Sequence, residues 1–141
     1  GPEVDAYMAR VDPSLLGGAW CVAFIYWCHD EAARGLGRAN PMARTASVWR
    51  HWEMAQTAAG ATIVTPQQAR QDPTLVVPGM IFHIDTGGGT GHAGIVVQVL
   101  GQTLVTIEGN SNDTGSREGI GVFMRSARRI SQIDLGFVGY G

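Results

Sequence analysis

The sequence predicts an α+β fold in which helices come first and an antiparallel β-sheet follows. Apolar residues recur at helical spacing in the first third, and short alternating apolar segments fill the second half. Helices followed by strands, rather than alternating with them, are typical of a fold with an antiparallel sheet. With 141 residues, 45% of them hydrophobic, the chain is long enough for one compact domain. Gly1 and Pro2 resemble a remnant of protease cleavage, so we expect that domain over residues 3–141.

Charge and hydropathy exclude several classes of function. The formal net charge is −2, which argues against a nucleic-acid partner because such proteins favour a basic surface. No apolar run approaches the roughly 20 residues needed to cross a bilayer, and no signal peptide is visible, so any export route lies outside this sequence. Arg125, Arg128 and Arg129 form a basic cluster that we interpret as a solvated face or a rim contact.

Helical patterns occupy the N-terminal third of the chain. The predicted helices run from Asp5 to Val11, from Ala19 or Trp20 to about Arg34, and from Ala43 to Ala59. The second is apolar nearly all round, with a stripe formed by Cys21, Phe24, Ile25, Cys28 and Ala32. A helix of this kind is usually buried, so we expect it to be the central helix of the domain.

Strand patterns follow after Pro66. The predicted strands are Met80–Ile84, His92–Leu100, Thr103–Glu108, Gly121–Arg125 and Gly136–Tyr140. A glycine-rich loop, Thr86–Gly91, separates the first two of these. The loop lacks the Lys-Ser/Thr pair of a phosphate-binding loop, so we interpret it as the rim of an active site.

The second and third predicted strands form a hairpin whose register can be inferred. Each strand has one apolar face, formed by Ile95, Val97 and Val99 on the first and by Val105 and Ile107 on the second. These faces coincide only if odd-numbered residues pair with odd-numbered ones, because a one-residue slip inverts every side chain. That register predicts a connecting loop of odd length, such as residues 100–102. It also places His92, Glu108 and Asn110 together on the opposite face.

The two cysteines need separate explanations. Cys21 and Cys28 are seven residues apart on one predicted helix and therefore ~10 Å apart along its axis. A disulfide needs Cα atoms within roughly 7 Å, so the two cannot pair. Cys21 stands at the first turn, where unpaired N–H groups and the helix dipole favour a thiolate. Cys28 lacks that field, and we interpret it as a small buried hydrophobic residue.

Four histidines are candidates for a base that would act with Cys21. We expect His29 and His51 at the polar edges of helices and His83 within a strand. His92 opens a strand directly after the glycine-rich loop, where its side chain can face a cleft. An acceptor on its other ring nitrogen would fix the tautomer, and the inferred register provides Glu108 and Asn110 for that position.

Three segments of the chain together resemble the signature segments of CHAP domains, the cysteine- and histidine-dependent amidohydrolases and peptidases related to NlpC/P60 enzymes. The segments are Trp20–Phe24, Gly91–Val96 and Ile107–Asn112. Pro78–Phe82 also resembles the strand before the histidine in that family, although Met80 stands where an Asp is usual. The resemblance extends from about Trp20 to Arg125.

The resemblance implies a papain-like α+β fold and hydrolysis of amide bonds in bacterial peptidoglycan. It implies Cys21 as nucleophile, His92 as general base and acid, Glu108 as orienting residue and Asn110 as its assistant. The implied substrate contacts are Trp20, Gly91 and Asn112. No cofactor is expected. Some members of the family bind calcium, but Asp5 and Asp12 lack the alternating acidic spacing of a calcium loop, so we expect no metal.

Several alternatives stay open from the sequence alone. The bond cleaved can lie between sugar and stem peptide (amidase) or within the peptide (endopeptidase). A thiol acyltransferase or transpeptidase would share the thioester intermediate, and a catalytically silent module would bind cell wall or a protein. Zinc binding is disfavoured because Cys21 and Cys28 lack the usual Cys-x₂₋₄-Cys spacing. We expect a monomer that acts in the cell wall or periplasm and, if it is a toxin effector, a dedicated inhibitor protein as partner.

Overall fold

The computed structural model describes residues 2–11, 21–109 and 121–141. The helices are α1 (Pro2–Val11), α2 (Cys21–Gly35), α3 (Val48–Ala55) and α4 (Pro66–Gln71), with single 3₁₀ turns at Pro73–Leu75 and Ile130–Gln132. The strands are β1 (Thr62–Val64), β2 (Ile81–Gly87), β3 (Thr90–Leu100), β4 (Thr103–Gly109), β5 (Val122–Arg129) and β6 (Gly136–Gly139). The strands form one antiparallel sheet in the order β1-β6-β2-β3-β4-β5. The predicted α+β, papain-like fold is confirmed.

Helix α2 lies in the core beside one face of the sheet. Its residues Cys21, Val22, Ala23, Phe24 and Ile25 are buried, in a cluster that also contains Ile81 of β2 and Ala93 of β3. The continuous apolar sequence at the start of this helix explains the burial, because nearly every side of it meets α1 or the sheet. The prediction of a buried helix is therefore confirmed for its first five residues, whereas Cys28 is half-buried and Ala32 of the predicted stripe is exposed.

A second core covers the opposite face of the sheet. Side chains alternate between the two faces of a strand, so the neighbours Ile81 and Phe82 of β2 enter different cores. Phe82 packs with Val96, Leu104 and Phe137, all nearly or fully buried. The central strands of the sheet are thus covered on both faces, whereas β5 at its edge is mostly exposed.

Three local predictions differ from the structure. Helix α3 is shorter than expected because Ser47 is its N-cap, accepting a hydrogen bond from the backbone N–H of Arg50, and Gln56 ends it. Strand β1 was not predicted, since three residues carry too little periodicity. Helix α4 was also missed, although the sequence contains its signal: Thr65 and Gln68 form a capping box with Pro66 between them.

The β3–β4 hairpin has the predicted register at one end and a different one at the other. Leu100 pairs with Thr103, so the turn has two residues rather than the predicted odd number. A β-bulge between Val96 and Gln98 then shifts the pairing by one residue. Beyond the bulge Ile95 pairs with Ile107, which is the predicted pairing of odd with odd. The loop prediction was wrong because a bulge, not the turn, sets the register.

Candidate active site

Cys21 is the first residue of α2 and is 5% exposed. The first turn of a helix presents backbone N–H groups that have no partner within the helix, and the dipole favours negative charge there. Both cysteines are unpaired thiols, as the sequence predicts. Cys21 therefore places a thiol at the N-terminus of a buried helix segment.

His92 and Glu108 form a hydrogen-bonded pair across β3 and β4. The distance from His92 Nε2 to Glu108 Oε1 is 2.7 Å. Because a carboxylate oxygen can only accept, Nε2 carries the proton and donates it. The side chain of His92 is 20% exposed, whereas that of Glu108 is fully buried. The predicted proximity of these two residues is present in the structure.

Glycines on either side of His92 make room for this arrangement. A Cβ at Gly94 would lie 2.5 Å from the Phe82 ring and 2.8 Å from Glu108 Cγ. A Cβ at Gly91 would lie 2.7 Å from a methyl carbon of Val48 and 2.8 Å from the carbonyl oxygen of Ile84. Both positions therefore require glycine on packing grounds. For Gly91 this steric requirement is independent of the substrate contact that the family resemblance implies.

The pKa of His92 shows how its partners offset burial. Burial acts to lower this pKa, but hydrogen bonds to Cys21 and Glu108 outweigh it and raise the pKa to about 9. Since Nε2 bonds Glu108, the nitrogen left for the thiol is Nδ1. Cys21, His92 and Glu108 therefore form one connected chain of proton donors and acceptors.

Among the described residues, four donated hydrogen bonds hold Glu108 as a carboxylate. Burial acts to raise its pKa, but His92, Arg128 and Thr106 overcome this and lower the pKa to about 2. Thr106 Oγ1 donates to Oε2 over 2.7 Å, and Arg128 Nε donates to the same oxygen over 3.0 Å. Arg128 Nη2 donates to Oε1, so its guanidinium contacts both oxygens. Each lone-pair direction of the buried carboxylate thus has a donor.

Two of the arginines that we interpreted as a solvated face or a rim contact belong to this site. Arg128 is 15% exposed and ion-paired with Glu108, and Arg125 Nε lies 3.6 Å from Glu108 Oε1. Only Arg129 of the cluster is exposed as expected. The solvated-face alternative was wrong for Arg128 because β5 continues to Arg129, four residues beyond the predicted end of the strand.

Three predicted site residues cannot be placed. Trp20, Asn110 and Asn112 lie outside the described residues, so their roles stay predictions. Thr106 also belongs to the site and was not selected from the sequence. Strand alternation could have identified it, because Thr106 is two residues before Glu108 on one strand and therefore lies on the same face as Glu108.

Two of the three remaining histidines, His51 and His83, form a separate buried network. His51 and His83 are fully buried, so the expectation that His51 lies at a polar edge was wrong. His83 Nδ1 lies 3.3 Å from the Gly136 carbonyl oxygen, His51 Nδ1 lies 2.7 Å from His83 Nε2, and Tyr140 Oη lies 2.8 Å from His51 Nε2. A carbonyl oxygen only accepts, so the donor of each hydrogen bond is fixed. Tyr140 donates to His51, His51 donates to His83, and His83 donates to the Gly136 carbonyl oxygen. Both rings are neutral in this arrangement.

Cys28 and the apolar groove of the molecule lie away from this site. Burial raises the pKa of Cys28 to about 11, so its thiol is a weak nucleophile at neutral pH. A groove of about 410 Å³ includes Ala32, Ala33 and Leu36 at the far end of α2. At 1.5 Å per residue, that end is roughly 17 Å from Cys21. The groove is therefore separate from the thiol.

A family model described as the CHAP domain matches residues 14–110, more than half of the chain. The match contains Cys21, His92 and Glu108 and ends before β5. Comparisons with curated proteins and with solved structures give no significant match. Within the described residues, moreover, none of the helices is long and apolar enough to span a bilayer.

Proposed function

Because the chain belongs to the CHAP family of cysteine- and histidine-dependent amidohydrolases and peptidases, we propose that it hydrolyses an amide bond in peptidoglycan. The observation that carries this proposal is the connection of Cys21, His92 and Glu108. It unites a thiol at a helix N-terminus, an imidazole that contacts it, and a buried carboxylate that orients the imidazole. These are the parts of a nucleophile–base–orienter triad.

In the proposed first half-reaction, the Cys21 thiol gives its proton to His92 Nδ1 and the thiolate attacks the amide carbonyl carbon. A carbon–sulfur bond forms and the carbonyl oxygen becomes an oxyanion, which we expect the backbone N–H of Cys21 to stabilise. When the intermediate collapses, the carbon–nitrogen bond breaks. The leaving amine takes the proton from His92, and a thioester on Cys21 remains.

In the second half-reaction, water replaces the amine. His92, now neutral, removes a proton from the water as it attacks the thioester, and the carbon–sulfur bond then breaks. The product is a free carboxylate, and His92 and Cys21 return to their starting states. Glu108 keeps the imidazole in one orientation through both half-reactions, because its bond to Nε2 leaves Nδ1 directed to the reacting atoms.

The residues outside the described ranges complete the proposal. Asn110 would assist Glu108 in orienting His92, and Trp20 and Asn112 would contact substrate with Gly91. The proposed place of action is the cell wall or periplasm, where peptidoglycan lies. The bond is either the amide between sugar and stem peptide or one within the peptide. Mass spectrometry of muropeptides released from defined sacculi distinguishes the two, because the new termini identify the bond.

The proposal is tested with a matched pair of cysteine variants. Cys21→Ala removes the nucleophile and should reduce the release of soluble fragments from purified sacculi to the background level. Cys28→Ala makes the same chemical change at a half-buried thiol and should leave the rate within about twofold, since a substitution away from the active site acts on stability rather than on the chemistry. Lysis by folded Cys21→Ala protein would contradict the mechanism. Incorporation of an added amine into the product would instead identify an acyltransferase.

A further inference from the structure

Arg128 contacts the proposed site without contacting the thiol. Its guanidinium spans both oxygens of Glu108, and it also lies over the Phe82 ring, 5.4 Å from the ring centroid. A planar guanidinium held at two oxygens and at an aromatic face has one orientation available. The orientation of the Glu108 carboxylate, which accepts both hydrogen bonds, is consequently fixed as well.

The charge of Glu108 has to be compensated at every stage of the proposed reaction. An uncompensated carboxylate in a buried position is strongly destabilising. His92 compensates it only while the ring is protonated, and the ring loses its proton to the leaving amine. Arg128 remains charged throughout, because a guanidinium does not deprotonate in proteins.

The acyl-enzyme stage depends most on this compensation. Once Cys21 carries an acyl group, the thiolate charge is gone and Glu108 is the anion that still faces His92. The described charged and titratable groups that face Glu108 are His92 from β3 and Arg125 and Arg128 from β5. A carboxylate whose charge is shared with two arginines raises the pKa of His92 less than a carboxylate that faces His92 alone.

We propose that Arg128 is a positioning residue for this reaction: it fixes the Glu108 carboxylate and shares its charge, which allows His92 to become neutral in the acyl-enzyme. The inference rests on the proposed function. It also goes beyond the family match, which ends at residue 110, so that β5 contributes a component that the match does not assign.

The proposal makes an asymmetric prediction about the two half-reactions. In Arg128→Gln, alkylation of Cys21 by iodoacetamide at pH 7 should stay within about threefold of the wild type, because Arg128 contacts Glu108 and not the thiol. Hydrolysis of sacculi should fall by about tenfold, and its pH midpoint should rise by about one unit, since losing one nearby charge shifts a pKa by about this much. Arg129→Gln, an exposed arginine next in sequence, is the matched control and should change neither rate.

A measurement without substrate separates this inference from the proposed function. In a Cys28→Ala background, Cys21 is capped as its methyl disulfide, which removes the thiol charge as an acyl group does. The titration of His92 is then followed by NMR, with its signal assigned by its loss in His92→Gln. The midpoint should lie about one unit higher in Arg128→Gln than in the parent. If the parent releases nothing from sacculi, the proposed function fails, but this comparison still decides the role of Arg128.

The remaining outcomes are also decisive. An unshifted His92 titration in folded Arg128→Gln overturns the proposal, as does equal loss of alkylation and hydrolysis. If that variant does not fold, Arg128→Lys decides, because it keeps the charge and loses the two-oxygen contact. Its hydrolysis rate must then fall severalfold with the pH midpoint unchanged, and a rate equal to that of the wild type overturns the proposal.

Discussion

The protein contains two buried histidine sites that differ in the charge of their partners. His92 bonds a carboxylate and a thiol, and its pKa is raised to about 9 by them although burial acts to lower it. His51 and His83 bond each other, a tyrosine hydroxyl and a backbone carbonyl. Burial, with a smaller contribution from a neighbouring histidine in each case, lowers the pKa of His51 to about 4 and that of His83 to about 3.

The comparison separates burial from partner charge as causes of protonation. All three imidazoles are largely removed from water, yet only the one beside ionisable acids favours its charged form. A network of neutral groups can make every hydrogen bond while its histidines stay uncharged, which suits a structural role. A histidine that exchanges protons needs partners whose charge changes the balance, and His92 has them.

The largest expected difference comes from making one substitution at both sites. His92→Gln should reduce the rate of sacculus hydrolysis by about 10²–10⁴-fold, the usual contribution of a general acid and base. Its fold should persist, because Gln can still donate an N–H to Glu108 and Arg128 still compensates the carboxylate. His51→Gln should retain the rate of hydrolysis per folded molecule within about threefold, since a substitution outside the active site changes the amount of folded protein rather than the chemistry.

Turbidity clearing of sacculi, normalised to the folded fraction from circular dichroism, measures both variants of this pair. A folded His51→Gln protein with hydrolysis reduced as far as that of His92→Gln would show that the buried network takes part in the chemistry.

The next largest effect is on stability and reverses the ranking of the two sites. His51→Gln should lower the free energy of unfolding by about 1–3 kcal/mol, because a flexible amide cannot satisfy both His83 and Tyr140 with the same geometry. His92→Gln should lower it by less than about 1 kcal/mol at pH 9.5, because the contribution of the protonated imidazole is lost above pH 9 and its neighbours keep their partners. Urea denaturation at pH 9.5 measures the two values. Equal losses in both variants would contradict the assignment of a structural role to His51.

The pH dependence of stability should distinguish the sites by its sign. His51 and His83 have folded pKa values below the unfolded value of 6.5, so the unfolded chain binds more protons as the pH falls from 6.5 towards 4. Stability should therefore fall with decreasing pH, by about 1.4 kcal/mol per pH unit for each histidine. His92 has a raised pKa, so its contribution is present below pH 6.5 and is lost as the pH rises through about 9.

Urea titrations between pH 4.5 and 9 measure both slopes. His51→Gln removes one titrating group and should flatten the acid slope, whereas His92→Gln should flatten only the alkaline one. An acid slope that is unchanged in His51→Gln would show that the carboxylates, and not the buried network, cause the acid sensitivity.

The sequence predicts the site around His92 far better than the buried network of His51 and His83. Cys21 follows from the start of an apolar helix, and the proximity of His92 to Glu108 follows from alternation along two strands. Arg128 does not follow, because Arg125 and Arg128 have opposite parity and a regular strand would direct them to opposite faces. A bulge opposite Leu104 and Thr106 shifts the register, so that Arg125 pairs with Thr106 and Arg128 with Leu104 on one face.

The buried network is harder to predict because its members are distant in sequence and polar in type. His51 lies on α3, His83 on β2 and Tyr140 just after β6, so no local period connects them. A histidine on a short helix is normally assigned to a polar edge. Only the docking of α3 against the sheet, which depends on tertiary packing, turns His51 inward and supplies its two partners.

The smallest expected effect is on stability, and it tests the direction in which the hydrogen bonds of that network are donated. Tyr140→Phe removes the hydroxyl that donates to His51 Nε2 and leaves one acceptor without its partner. We expect the free energy of unfolding to fall by about 1 kcal/mol, the net value of one hydrogen bond, with sacculus hydrolysis unchanged. His51 should keep its proton on Nδ1, because His83 still accepts it, and ¹⁵N chemical shifts of the ring report this directly. A switch of the proton to Nε2 in Tyr140→Phe would show that the hydroxyl, and not the Gly136 carbonyl, sets the direction of the chain.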